Sequence, residues 1–548
     1  MGAQGQQGSD GFSLAELLQK RITRRQVIQG AAAAGALATL GPLVAACGGK
    51  ASTSSSAVPS GSVSPRMGGE LKVAAAMGSA KENLDIHMPA LTIPALDMRL
   101  NMYDSLLEFT PSFQLGMALA EEVVPSADAM QYTVRLKPDL LFQNGKPVTA
   151  DDVVYSFNRI MNPKSPGLAA SQLIGLAPGA VKKVDKLTVR FELDRPNSVF
   201  PQGLAGYAAG IVPEGYNPKG AKGAIGTGPF MIENFIPGQQ AVLVKNPHYW
   251  REGPYLDKLS IIEFADSSAQ LNALLGGTVD YCNNIAGPQK KIAESNGFQL
   301  LTAKTGSWIP FTMNCTMKPF NDVRVRQAFR LIVNRPQMIE QAVQGNAWIG
   351  NDMYAPFDPS YPKDLPQRQQ DLEQAKSLLK AAGYDNNLVI TLVTSTAVSG
   401  EAPAAATVFA QQAKGAGVTV HVQQVTGDVF YGTQYLKWLF AQDNWGTRDY
   451  LMQAAFGSMP KAFYNETHWT NAKWLALVEE AFKTVDEAKR NELCREASTI
   501  EYYEGANIIP YFLNMTDAHS SKVQGAEPNV NGMGTAACNG QYRSMYIV

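Results

Sequence analysis

The sequence predicts an α/β chain folded as two or three lobes, on three observations. At 548 residues it is too long for one hydrophobic core. Stretches of strict polar/apolar alternation, the mark of half-buried strands, are interleaved with stretches whose apolar residues recur every three to four positions, the mark of helices. The interleaving has no fixed repeat length, which excludes a solenoid, and the chain is rich in Gly and Pro, as a fold with many turns requires.

Residues 1–46 stand apart from the fold. Thr23-Arg24-Arg25-Gln26-Val27-Ile28-Gln29 follows the pattern read by twin-arginine export machinery, and Gly30 to Val44 is uncharged and Ala-rich. At ~1.5 Å per helical residue this run falls short of the ~30 Å hydrocarbon core, so it reads as a signal-peptide core rather than a span. Val44-Ala45-Ala46-Cys47 has the small residues and cysteine of a lipobox, so Cys47 is expected to be acylated and to become the mature N-terminus. Residues 47–67, rich in Ser and Gly, bury too little apolar surface to offset chain entropy and are expected to form a flexible tether.

The folded elements follow. Gly69-Glu70-Leu71-Lys72-Val73-Ala74 reads as an opening strand, and Gln131 to Leu136 alternates as a half-buried one. After the Asn144-Gly145 turn, Thr149 caps a helix with Asp152 three residues on, in the manner of a capping box. Val153, Phe157, Ile160 and Met161 form its buried stripe, and Asn162-Pro163 ends it. Leu187 to Leu193 alternates again. The second half is richer in helix. Asp322 caps one with Val325, Ala328, Phe329, Ile332 and Val333 inward. Asp371 caps another that ends at Gly383, and a pair of helices runs from Ala472 to Glu504 with a break near Asp486.

Composition excludes several functions. The net charge is −1, about −3 once the signal region is removed, so there is no basic footprint for nucleic acid. No later stretch has the length of a membrane span. Cys282, Cys315, Cys494 and Cys538 form no CxxC pair and no zinc-type cluster. Four cysteines allow three disulfide pairings, but Cys494 falls on the apolar face of a helix and reads as a buried thiol. The five histidines are scattered singly, and phosphate-cradling loops, HExxH and GxSxG are all missing from the sequence. Neither catalysis nor a cofactor is expected.

Several stretches, in order, resemble the peptide/nickel class (family 5) of solute-binding proteins that serve ABC importers. They are Tyr132 to Leu136 with Phe142-Gln143-Asn144-Gly145-Lys146-Pro147-Val148-Thr149-Ala150-Asp151-Asp152, then Gly226-Thr227-Gly228-Pro229-Phe230 and Lys245-Asn246-Pro247-His248-Tyr249-Trp250-Arg251. Leu274-Leu275-Gly276-Gly277-Thr278-Val279-Asp280, Phe320-Asn321-Asp322-Val323-Arg324-Val325-Arg326-Gln327-Ala328-Phe329 and Asp371 to Leu379 follow. The resemblance implies a bilobal, periplasmic-binding-protein-like fold closing on a hinge. Lobe I would take 68–106, 213–304 and 506–548, an inserted subdomain 107–212, and lobe II 305–505.

The resemblance also implies a pocket. Peptide-binding relatives carry Trp-x-x-Asp-Tyr, whose Asp pairs with the peptide's α-ammonium. This chain reads Trp445-Gly446-Thr447-Arg448-Asp449-Tyr450, one residue longer. Either Asp449 keeps the family's role and selects an amine, or Arg448 takes the position and selects a carboxylate or phosphate; a third reading makes them separate rim residues, or a pair that partly neutralises itself. Trp445 would give a flat apolar wall, and Tyr450, Trp308, Thr92 and Tyr511 are further ligand-binding candidates. The implied function is capture of a small solute, a peptide first, by a monomeric lipoprotein held at the membrane through Cys47, with delivery to ABC permease subunits. Oligosaccharide or metal-chelate binding on the same fold, and a ligand-sensing lipoprotein, are the alternatives.

Overall fold

The computed structural model describes residues 65–90, 92–385, 387–532, 534–537 and 542–548. Arg24, Arg25, Cys47 and Cys538 lie outside them. Two lobes are each built on a mixed sheet. The larger sheet runs Gln299–Trp308, Tyr511–His519, Tyr281–Cys282, Glu70–Ala76, Lys258–Phe264, Gln240–Lys245, Phe230–Ile236, with Ala347–Ile349 added on Tyr511–His519. Its opening strand pairs in parallel with Lys258–Phe264, Val73 opposite Ile261. Leu71, Val73 and Ala75 enter one apolar cluster and Ala74 the other, as a period of two demands when both sheet faces are covered.

A four-stranded antiparallel sheet, Ala120–Pro125, Gln131–Leu136, Thr188–Leu193 and Leu176–Lys183, packs on the helix Ala150–Ile160 to form the inserted subdomain. Asp152 accepts hydrogen bonds from the Thr149 backbone and hydroxyl, both 2.9 Å, and Val153, Phe157 and Ile160 are fully buried. Met161 is only half-buried at the helix end. Gly226 and Gly228 lie against the Met102 backbone, where a Cβ would come within 2.2 Å of the Met102 carbonyl oxygen and 2.5 Å of its carbonyl carbon. This close approach explains why positions 226 and 228 admit no side chain.

The smaller sheet runs Val418–Gln424, Leu388–Thr394, Phe440–Gln442, Phe311–Met313, Asn507–Ile508. Helices Val323–Ile332, Leu372–Ala381, Ala402–Lys414, Ala472–Lys483 and Glu487–Glu504 surround it, and Phe311, Phe329, Phe409 and Phe440 interlock at its centre. Asp322, Asp371 and Asp486 each cap their helix by accepting a backbone N–H. Arg326 and Arg330 donate to the carbonyls of residues 501, 502, 504 and 505, the orphan acceptors at the end of Glu487–Glu504. Cys282, Cys315 and Cys494 are free thiols.

Two segments cross between the lobes side by side. Trp308 pairs with Phe512 on one side of the crossing and Phe311 with Ile508 on the other, leaving Ile309-Pro310 beside Ile509-Pro510. Each proline lacks a donor, so the ladder is interrupted where the chain changes lobes. Asp352 pins this point. Its Oδ1 accepts from the Ile509 N–H at 2.9 Å, and its Oδ2 from Arg335 at 2.6 Å and Arg368 at 2.5 Å. Two short strands pair across the division expected from sequence: Ala347–Ile349 joins the larger sheet and Asn507–Ile508 the smaller, because each follows its hydrogen-bonding neighbour at the crossing. Among the described residues no helix is long and apolar enough to cross a membrane.

Candidate functional site

Between the lobes lies a cleft of about 240 Å³. One wall comes from the C-terminal end of helix Ile93–Met102 and the segment after it, including Tyr103, Asp104 and Phe113. A second comes from Gln202 to Tyr207 of the inserted subdomain, and a third from Gly446 to Phe456 of the smaller-sheet lobe; Asn531 and Gly532 complete it. The first wall is braced from behind. Trp250 and Thr227 donate to Asp104 Oδ2 at 3.0 and 3.1 Å, and Arg251 pairs with Glu108 at 2.8 Å. The Gly-Thr-Gly and Tyr-Trp-Arg segments thus serve as scaffold for the cleft.

The lobes touch around the cleft. Thr447 Oγ1 accepts from the Gly306 N–H at 3.0 Å and donates to the Val530 carbonyl at 3.1 Å. Phe113 meets Phe357 at 6.4 Å. On the far side Ser198 donates to the Phe482 carbonyl from its backbone, at 2.7 Å, and to the Ala481 carbonyl from its hydroxyl, at 2.9 Å.

Arg448 and Asp449 both line the cleft, and they form no ion pair with each other. The Arg448 guanidinium sits 5.3 Å from the centroids of both Trp445 and Phe456, held by two ring faces. Burial lowers its pKa to about 10, and its Nη1 has no hydrogen-bond partner. Asp449 precedes the short helix Tyr450–Gln453, and burial, with the negative charge of Asp358 behind it, pushes its carboxyl up to about 8. Its Oδ2 has no partner either.

The other expected residues are placed differently. Trp445 stands behind Arg448 and heads a ladder of near-parallel rings. Trp445 to Trp308 is 6.0 Å, Trp308 to Tyr354 5.9 Å and Tyr354 to Tyr450 5.3 Å. Trp308 and Tyr450, expected to meet ligand, are therefore core. Trp308 also exchanges two backbone hydrogen bonds with Trp445, and the Tyr450 hydroxyl donates to Glu501 at 2.7 Å while accepting from Trp474 at 2.9 Å. Burying their large apolar faces stabilises the fold more than exposing them to a cleft would. Thr92 caps the far end of helix Ile93–Met102, accepting from the Ala95 N–H at 3.3 Å, and does not reach the cleft. Tyr511 is fully buried beside the crossing, outside the cleft lining.

Sequence reasoning missed Gln202 and Asn531. Gln202 Oε1 and Asn531 Oδ1 line the cleft, shut off from solvent and without partners. They face the two charged residues from the opposite lobe, and nothing in local sequence marks either residue. No group of three or more His, Cys, Asp or Glu side chains placed to hold a metal ion exists among the described residues.

Two mixed α/β lobes, a double crossing and a cleft with unpaired polar atoms on both sides define a protein that closes around a solute. Comparison with known proteins agrees. Residues 114–469 match the model for bacterial extracellular solute-binding proteins, family 5 middle region. The chain belongs to this family and is an extracytoplasmic solute-binding protein of the kind that hands its ligand to an ABC importer. It is 25% identical over 446 residues to the glutathione-binding protein GsiB of Escherichia coli, covering 78% of this chain and 86% of that one. It is 27% identical over 475 residues to the heme-binding protein A of Haemophilus influenzae, covering 79% and 84%. The structure of the ABC transporter substrate-binding protein CtaP of Listeria monocytogenes superposes with a TM-score of 0.77 at 22% identity, covering 88% of this chain and 100% of that one.

Proposed function

We propose that the solute is a short peptide, bound as a zwitterion, and that the chain delivers it to the permease as a monomeric lipoprotein. The observation that carries this reading is the set of four unpartnered polar atoms around one cleft. Arg448 Nη1 and Asp449 Oδ2 come from one lobe, Gln202 Oε1 and Asn531 Oδ1 from the other. A ligand ammonium matches Asp449, a ligand carboxylate or peptide carbonyl matches Arg448, and the two amides serve the peptide groups between. A ligand that meets both lobes at once favours the closed arrangement over the open one. A neutral sugar leaves the Arg448 guanidinium without a counter-charge, which is costly in a dry cleft. The volume lies below the ~300–1,000 Å³ usual for drug-sized ligands, which favours a short peptide. The named ligand of one relative, glutathione, is itself a tripeptide, in keeping with this size.

Arg24 and Arg25 would direct export and Cys47 would carry the lipid anchor, on the strength of the motifs alone. The lobe limits 68–106, 213–304 and 506–548, the insertion 107–212 and lobe II at 305–505 remain our division, with residues 305–308, 347–349 and 507–508 exchanged. Calorimetry of the soluble protein with free, N-acetylated and C-amidated di- and tripeptides tests the ligand. Both blocked forms should bind at least tenfold more weakly than the free form. A matched oligosaccharide that binds while every free peptide fails would overturn the reading.

A further inference from the structure

Asp449 opens helix Tyr450–Gln453, yet its side chain does not do what a helix-opening aspartate does. Its backbone is extended and its carbonyl accepts the first intrahelical bond, from the Gln453 N–H at 2.9 Å, so it holds the capping position. A carboxylate there turns onto the amides two or three residues on, which have no partner within the helix. Asp322, Asp371 and Asp486 each do so in this protein. Asp449 makes no such bond to Leu451 or Met452, and its Oδ2 stands on the cleft lining without a partner.

A second aspartate secures the helix instead. Asp358 belongs to the segment that follows Asp352, and its Oδ2 accepts the Tyr450 N–H at 2.8 Å. Its Oδ1 is held in turn by Ser360, which donates its N–H at 2.8 Å and its hydroxyl at 2.6 Å. Phe357, the preceding residue, packs with its ring 5.9 Å from Trp348 and 6.4 Å from Phe113 of the facing wall. The carboxylate of Asp358 is thus fixed in place before any solute arrives, and the amide beside Asp449 is satisfied from another segment.

We infer, on the reading of Asp449 as the ammonium partner, that Asp358 is a positioning residue for solute capture: it anchors the start of helix Tyr450–Gln453 from a neighbouring segment and so leaves the Asp449 carboxyl free to face the cleft. With the Asp358 side chain cut back, the Tyr450 amide joins those of Leu451 and Met452 without an acceptor. The Asp449 carboxyl is the nearest one available, and it turns inward onto them and away from the ligand. An asparagine at position 358 keeps an acceptor oxygen at the same reach, so it preserves the arrangement.

The test is calorimetry of the soluble protein with the tightest-binding free tripeptide of the series above and its N-acetylated form. Wild type should prefer the free amine by roughly tenfold or more. Asp358→Ala should lose that preference, binding the free form roughly tenfold more weakly and the acetylated form within about twofold of wild type, since Arg448 still holds it. Asp358→Asn should keep the preference. Placed on Asp449→Asn, Asp358→Ala should change affinity for the free peptide by less than about twofold, because it acts through the residue already removed. Should the alanine variant fold poorly, Asp358→Gln, whose oxygen sits one methylene too far out, gives the same comparison. An Asp358→Ala protein that keeps the amine preference, or that weakens both peptides equally, overturns the positioning role alone. A wild type with no preference for the free amine overturns the zwitterion reading and this role with it.

Discussion

Asp449 links solute capture to pH. Its carboxyl is pushed up to about 8, so at pH 7 only about a tenth of the free protein carries the anion. An ammonium ligand requires that anion. Binding at pH 7 should therefore expel close to one proton per ligand, and affinity should strengthen about tenfold per unit from pH 5 toward 7.5, each unit being about 1.4 kcal/mol. Above that the gain stops, because the peptide's own α-amino group begins to lose its proton at about 7.7–8.0. The stability of the free protein runs the other way. A raised native pKa means the native state holds more protons than the unfolded chain between about 4 and about 8, so this contribution is complete below that window and lost as pH rises through it. The assay is calorimetry at pH 7 in phosphate and in Tris, whose ionisation enthalpies differ. Wild type with a free peptide should release about 0.9 proton, and Asp449→Asn none, with weak affinity that no longer varies with pH. Equal heats in the two buffers, together with equal affinity at pH 5.5 and 7.5, would refute the role of Asp449 and leave Arg448 as the anchor.

Asp352→Ala should cost about 3–5 kcal/mol in urea unfolding, because Arg335 and Arg368 are left buried without their partner. Burial raises the Asp352 carboxyl, but the arginines around it outweigh that and hold it below the usual carboxylate range, so its contribution is present at neutral pH and lost as the solution is acidified through that lowered pKa. Thr447→Val removes two hydrogen bonds across the cleft, about 1–2 kcal/mol in favour of the open arrangement, and should enlarge the ligand-free radius of gyration in X-ray scattering. Gln202→Ala should weaken peptide binding by about 1–3 kcal/mol in calorimetry while leaving the melting temperature nearly unchanged, since its orphan Oε1 bonds no protein group; Asn531→Ala should weaken binding similarly but also lower the melting temperature, because its Nδ2 donates to the Thr110 carbonyl at 3.0 Å. Gly228→Ala should unfold at markedly lower urea, because its Cβ would meet only backbone, that of Asn101, Met102 and Tyr103, within 2.7 Å.

Local signals were the legible part of this chain. Thr149 with Asp152, Asp322 and Asp371 each marked a helix start that the structure contains, because a cap is written within three residues, and the break expected near Asp486 falls where Glu487–Glu504 begins. The cleft was half legible. Arg448 and Asp449 announced themselves through a lengthened loop, and the structure places both on the lining. Trp308 and Tyr450 misled, since an aromatic residue beside a pocket and one in a ring ladder behind it have the same local sequence. Gln202 and Asn531 were invisible because their meaning lies in what stands opposite, more than two hundred positions away for Gln202.

The walls of the cleft have a consequence for how the protein is made. They begin at Arg99 and close at Gly532, and the larger sheet likewise waits for Tyr511–His519 to pair with Gln299–Trp308. At ~5–20 residues per second of synthesis, roughly 20 to 80 s separate the emergence of Phe113 from that of Asn531. Until the chain has passed Phe357 and then Gly446 to Phe456, the first wall, with its stacked Phe109 and Phe113, lacks the opposite lobe that covers it. A chain that stops short of Asn531 lacks part of the cleft lining, so solute favours the finished molecule. Cytoplasmic chaperones would meet those exposed rings first.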